Sequence, residues 1–146
     1  MRAPVPEHKT VYIRFHKRID ALLSAFSQQT GMRRATAVVW IQNRYMEKLL
    51  KEKENLAEIT ESDLGFSGME ETYFITLGRG SEGSMLGRAM QITVDKNMDR
   101  KMELIAYGCQ MTMRNFRTAI LVQYFEEIGL LESVFSDHMY IDTHEM

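Results

Sequence analysis

A single cysteine, Cys109, leaves this 146-residue chain no intrachain disulfide framework. Its place late in a predicted helix suits packing better than reactivity. No apolar run approaches the length that spans a bilayer, and the opening MRAPVPEHK lacks an apolar signal region, so the expectation is no membrane and a cytoplasmic location. Both prolines, Pro4 and Pro6, fall in residues 1–9, read as a flexible arm that carries the basic or titratable Arg2, His8 and Lys9 as candidates for contact with an anion. No nucleophile, acid–base pair or metal cluster stands out, which argues against an enzyme and implies no cofactor and no metal. Asp137, His138, Asp142 and His144 match no strong ligand spacing. An excess of positive charge is also missing, because the net charge is −2.

The distribution of charge is more informative than its total. Residues 1–53 carry eleven Lys/Arg against four Asp/Glu, and residues 54–87 carry one against seven. Residues 88–132 are balanced at six against six, and residues 133–146 carry none against three. A basic module beside an acidic connector still presents a local positive field to a polyanion. A solvated charged face is the plainer alternative. Hydrophobic content of 45% and charged content of 26% are those of an ordinary globular chain. The twelve methionines, several at core positions of the later half, imply a more adaptable core there.

In Thr10–Phe15, TVYIRF, apolar Val11, Ile13 and Phe15 alternate with Thr10, Tyr12 and Arg14, which predicts a half-buried strand. Ile19, Leu22, Leu23 and Phe26 then recur at helical spacing, and Gly31 is placed to end that helix in a left-handed cap. A second helix runs from about Arg34 to Leu50, with Ala37, Val38, Ile41, Tyr45 and Leu49 on one side. One strand and two helices cannot bury a core alone. A shift of 79 residues brings the pattern round again without a gap. Ile13 falls on Ile92, Lys17 on Lys96, Asp20 on Asp99, Met32 on Met111, Ile41 on Ile120, Tyr45 on Tyr124 and Glu47 on Glu126. The second strand is MQITV, followed by helices carrying Met98, Met102, Ile105 and Ala106, then Phe116, Ala119, Ile120 and Tyr124.

Strand, helix, Gly-ended turn and helix, with polar residues alternating along the strand, resembles the ribbon-helix-helix family of the Arc, MetJ and CopG repressors. The resemblance covers Thr10–Leu50 and Ala89–Leu131, and two copies in one chain is similar to the TraY type of conjugation protein. It implies a mainly α fold with a short antiparallel β-ribbon, two units forming an intrachain pseudo-dimer. It also implies binding of double-stranded DNA by the ribbon in the major groove. The expected role is then transcriptional regulator (repressor) or relaxosome accessory at a plasmid origin of transfer. Expected boundaries are 1–9 arm, 10–53 first unit, 54–87 acidic and Gly-rich connector, 88–132 second unit and 133–146 acidic tail.

The resemblance assigns base contacts to the outward residues of the strands: Thr10, Tyr12 and Arg14, with Gln91 and Thr93. Arg suits guanine O6/N7 and Gln suits adenine. Tyr12 is bulky for a groove, and the ribbon edge is its alternative position. Phosphates are expected at the second-helix N-termini, with Arg33, Arg34 and Thr36 in the first unit and Thr112, Arg114, Asn115 and Arg117 in the second. Thr112 holds the usual cap position; Arg33 departs from it. Gln110 stands where the first unit has Gly31, so the second turn is expected to close differently. Trp40 is expected to fill the contact between units, the alternative being an exposed patch for another protein.

The connector is expected to prolong the second helix and then fray, with Thr72–Leu77 as an extra strand. Gly78, Gly80 and Gly83 match a dinucleotide fingerprint formally, but no helix of the required kind follows them. The rival reading is a protein-interaction module of the same fold that has lost DNA binding, contacting a partner through the connector or acidic tail. A further option pairs units between two chains, as a homodimer, instead of within one.

Overall fold

The computed structural model describes residues 7–66 and 86–134. The order is β1 (His8–His16), α1 (Lys17–Thr30), α2 (Arg34–Glu52), two 3₁₀ turns (Leu56–Glu58 and Glu61–Leu64), β2 (Leu86–Asp95), α3 (Lys96–Gly108) and α4 (Met113–Glu127). The fold is mainly helical, with one two-stranded antiparallel sheet. Strand, helix, helix occurs twice in the order expected.

β1 and β2 pair along most of their length, with Thr10 opposite Thr93, Val11 opposite Ile92, Tyr12 opposite Gln91 and Ile13 opposite Met90. Tyr12 and Gln91 are 79 residues apart, so each strand meets its own equivalent at the middle of the ribbon. Alternation then fixes the faces. Met90, Ile92 and Val94 are buried and Val11 and Ile13 half-buried, while Thr10, Tyr12, Arg14, Ala89, Gln91 and Thr93 are exposed. Both strands exceed their expected bounds: β1 starts at His8, inside the span read as an arm, and β2 starts at Leu86, inside the span read as connector.

One core lies beneath the ribbon. Phe15, Ile19, Leu22 and Leu23 from the first half meet Ile92, Met102, Ile105, Phe116 and Phe125 from the second. Each such side chain contributes about 1.5–3 kcal/mol by leaving water. α4 is buried almost all round, with Thr118, Leu121 and Val122 enclosed besides the expected Phe116, Ala119 and Ile120. Trp40 lies edge-on to Tyr124 at 5.7 Å between ring centres and stacks on Phe26 at 6.3 Å, so it meets the other half from the rim, 40% exposed. The Arg44 guanidinium covers it at 5.7 Å.

The connector departs from expectation in its first part. α2 stops at Glu52, and the chain turns through the two 3₁₀ segments instead of continuing as a helix. Ile59 and Leu64 are buried, and the Tyr45 hydroxyl donates to the Leu64 carbonyl at 2.6 Å. Two apolar residues at non-helical spacing outweigh the helix propensity of the flanking Lys and Glu. The expected strand Thr72–Leu77, the glycines at 78–83 and the acidic residues of the tail lie outside the described residues. No helix among the described residues is long and apolar enough to cross a membrane.

Candidate nucleic-acid interface

The outward face of the ribbon is built from three cross-strand pairs: Thr10 with Thr93, Tyr12 with Gln91 and Arg14 with Ala89. Tyr12 stands at the centre of this face, 74% exposed, and not at its edge. The face presents hydroxyl, phenol, guanidinium and amide groups on a support whose other side is anchored in the core. Donors and acceptors of this kind match the edges of base pairs, and a two-stranded ribbon has the width of a major groove.

Each end of the ribbon is pinned by an aspartate from the first turn of a helix. At one end a bulge slips the register between Arg14 and His16, setting two residues of β2, Gly87 and Arg88, against Phe15 alone. Asp20 of α1 sits in that bulge, accepting from the Arg88 backbone N–H at 2.9 Å. A Cβ on Gly87 would stand 1.8 Å from the Asp20 carboxylate, so only glycine admits this approach. The Gly87 carbonyl accepts from Arg14 Nε at 3.1 Å. Burial pushes the Asp20 carboxyl above its ordinary range, opposed by the Arg88 N–H and by the charges of Arg34, Arg88 and Arg14. Three arginines, from α2 and both strands, thus act on one end of the ribbon.

At the other end Asp99 of α3 takes the equivalent place. It is paired with Lys9 Nζ at 2.9 Å, so Lys9 is held by protein, contrary to its reading as part of a free arm. Lys9 and Arg88 are themselves 79 residues apart. The repeated aspartates, Asp20 and Asp99, are the signal in the sequence for these clamps, although one is met by the Arg88 backbone and the other by the Lys9 side chain. Arg117 is also corrected. It is 3% exposed, bonded to Asp99 and to the Gln42 side chain, and unable to reach a phosphate. Its position on the inner side of α4 decides this.

The second-helix N-termini differ as their cap residues suggest. The Thr112 hydroxyl accepts from Asn115 N at 3.1 Å, so that amide is engaged and the half-buried Asn115 is a poor direct contact. Arg33 makes no side-chain cap bond, and the first turn of α2 holds half-buried Arg34 and exposed Thr36. The amides there have no capping side chain and are suited to an anion. Exposed Arg114 lines a groove of about 520 Å³ with Lys9, Tyr12 and Arg14, bordered also by Asp99 and Glu103. The second turn closes differently, as expected, its helix ending one residue earlier relative to the first with Cys109 as cap, yet one position keeps its backbone: Gln110 takes the left-handed φ (58°) of Gly31 (76°). Their hydrogen bonds differ: Gly31 N donates to Ser27 O in the first, whereas in the second the equivalent Gln110 N donates to Tyr107 O and Met111 N to Ala106 O.

Among the described residues no group of three His, Cys, Asp or Glu is arranged to hold a metal ion. The fold and this face define a small helical protein presenting a polar two-stranded ribbon. Beyond that class, no family model, curated protein or solved structure matches the chain.

Proposed function

We propose that this protein binds double-stranded DNA in a sequence-specific way, laying the β1–β2 ribbon into the major groove. The observation that carries this reading is the outward face itself: Thr10, Tyr12, Arg14, Gln91 and Thr93 exposed on one surface. In this reading the chain is two ribbon-helix-helix units paired as a pseudo-dimer, working in the cytoplasm. Arg14 and Gln91 read bases. The N-terminus of α2 with Arg33, Arg34 and Thr36 takes a phosphate on one flank, and Arg114 takes one on the other. Transcriptional control and assistance at a plasmid origin of transfer both use this contact, and mapping the occupied sites in cells separates them.

A mobility shift with random duplex at low salt is the first test. Weak binding that falls steeply with salt is expected, since phosphate neutralisation releases counterions. Failure to bind at low salt would sink the reading and favour the protein-interaction alternative. The roles are separable as well. Arg14→Ala and Gln91→Ala are expected to relax base preference, each losing about 1–3 kcal/mol of discrimination. Arg33→Ala and Arg34→Ala are expected to weaken all sequences alike and to lower the salt slope by about one for each phosphate no longer neutralised.

A further inference from the structure

A buried polar group beneath one end of the ribbon bears on how the halves of the molecule find one another. Arg117 of α4 donates from Nη1 to Gln42 Oε1 of α2 at 2.7 Å, and from Nη2 to the carboxylate of Asp99 on α3. Gln42 is 1% exposed, Asp99 3% and Arg117 3%. Lys9 of β1 closes the group from the ribbon side. Two members thus come from the first strand-helix-helix half and two from the second.

The group is not symmetric. The residue equivalent to Arg117 in the first half, 79 positions earlier, is Val38; the residue equivalent to Gln42 in the second half is Leu121. Pairing two first halves in the same register would set each buried Gln42 amide against a Val38. Pairing two second halves would set each buried Arg117 against a Leu121. The first arrangement leaves two buried Gln42 side chains without their partner, and the second leaves each Arg117 its own Asp99 but a buried Nη1 without an acceptor; either is more costly than losing an exposed bond. Only first with second satisfies all of them. The apolar contacts do not discriminate so sharply, because hydrophobic packing tolerates exchange of similar side chains.

We propose that Gln42 and Arg117 are a pairing code, with Asp99 holding Arg117 in place: they make a first half select a second half and reject a like half from another copy. A chain that carries two similar units needs such a device, since each could otherwise dimerise with its counterpart on a neighbour. The code holds whether or not the ribbon meets DNA, so its failure and that of the DNA reading are separate events.

The centre of the ribbon supplies the test. Because Tyr12 faces its own equivalent, pairing of two first halves would bring Tyr12 opposite Tyr12. The full-length variant Tyr12→Cys is refolded from denaturant at high concentration, oxidised, and analysed by intact mass and peptide mapping. The mapping separates a disulfide between the introduced thiols of two chains from any bond through Cys109. With the native core, no disulfide joining position 12 of one chain to position 12 of another is expected, while Tyr12→Cys with Gln91→Cys closes a bond within one chain. Adding Gln42→Leu and Arg117→Val to Tyr12→Cys makes both halves apolar at these positions, as Leu121 and Val38 already are. Chain pairs linked through position 12 are then expected to rise at least tenfold. Such a link with the native core overturns the proposal, and so does a folded apolar variant that stays unlinked. Should the apolar variant not fold, the native-core refolding still decides whether like halves are rejected.

Discussion

Gly31 and Gln110 hold the same left-handed backbone at equivalent turns, and only one of them is a glycine. A side chain in that region costs about 1–2 kcal/mol. Nothing lies within 4 Å of a Cβ built on Gly31, so Gly31→Ala isolates the conformational term, and a loss of about 1 kcal/mol is expected. Gln110→Gly relieves the same strain and is expected to raise stability by about 0.5–1 kcal/mol, after the added freedom of the unfolded chain is subtracted. Urea denaturation of the two variants checks both signs. Equal and small effects would mean that the turns carry no strain.

His16, also at residue scale, caps α1 by accepting from Arg18 N through Nδ1 at 3.1 Å. Its neutral ring therefore carries the proton on Nε2, which is buried without a partner among the described residues. Burial, then the charges of Arg18 and Lys17, hold its pKa below 6.5. Above 6.5 the ring is neutral in both folded and unfolded chains, and this contribution to stability is fully present. As pH falls below 6.5 the unfolded chain takes up the proton first, and stability is lost until the folded ring also protonates. Asp20 runs the other way: its raised pKa favours the folded state at low pH, and that contribution is lost as pH rises through the raised value. His16→Asn keeps an oxygen cap without a proton to gain. The variant is expected to lose less stability than the parent between about pH 7.5 and 5.5 in urea titrations; an identical loss would exonerate His16.

At the scale of elements, the connector shows what sequence pattern can and cannot disclose. The strands and helices are legible because one buried face imposes a period of two or about 3.6 on Val11, Ile13 and Phe15, or on Ile19, Leu22, Leu23 and Phe26. Ile59 and Leu64 follow neither period. They are buried because the chain doubles back onto α3 and α2, a fact of tertiary packing that local spacing does not encode. The burial of α4 on most of its faces is hidden for the same reason, since those faces are covered by elements distant in sequence. The outward ribbon residues are legible, whereas the burial of Arg117 depends on its partner Gln42, 75 positions away. Tyr45 joins the connector to α2 through the Leu64 carbonyl. Tyr45→Phe removes that donor and keeps the ring against Phe66 and Phe116, so a loss of about 1 kcal/mol is expected. Hydrogen exchange should localise the change to residues 56–66 and leave the ribbon amides protected.

For the molecule as a whole, the consequence is asymmetry about the Tyr12–Gln91 pair. A ribbon of two identical strands offers the same groups on either side of its centre and suits a palindrome. Here one strand offers Thr10, Tyr12 and Arg14, and the other Ala89, Gln91 and Thr93 in equivalent places. Arg14 is held by its Nε to the Gly87 carbonyl at 3.1 Å, which leaves its Nη groups free of that bond. Its equivalent, Thr93, has no cation to offer, and the caps at Arg33 and Thr112 differ as well. If one chain reads one site, a pool of random duplexes carried through binding selection is expected to yield a sequence without dyad symmetry. Guanine is expected opposite Arg14, and adenine near Gln91. Exchange of Tyr12 and Gln91, each replaced by the other, leaves composition unchanged and should alter the centre of the selected site while sparing its flanks. Recovery of an inverted repeat would instead require two chains arranged about a dyad, and would remove the single ribbon as the unit of recognition.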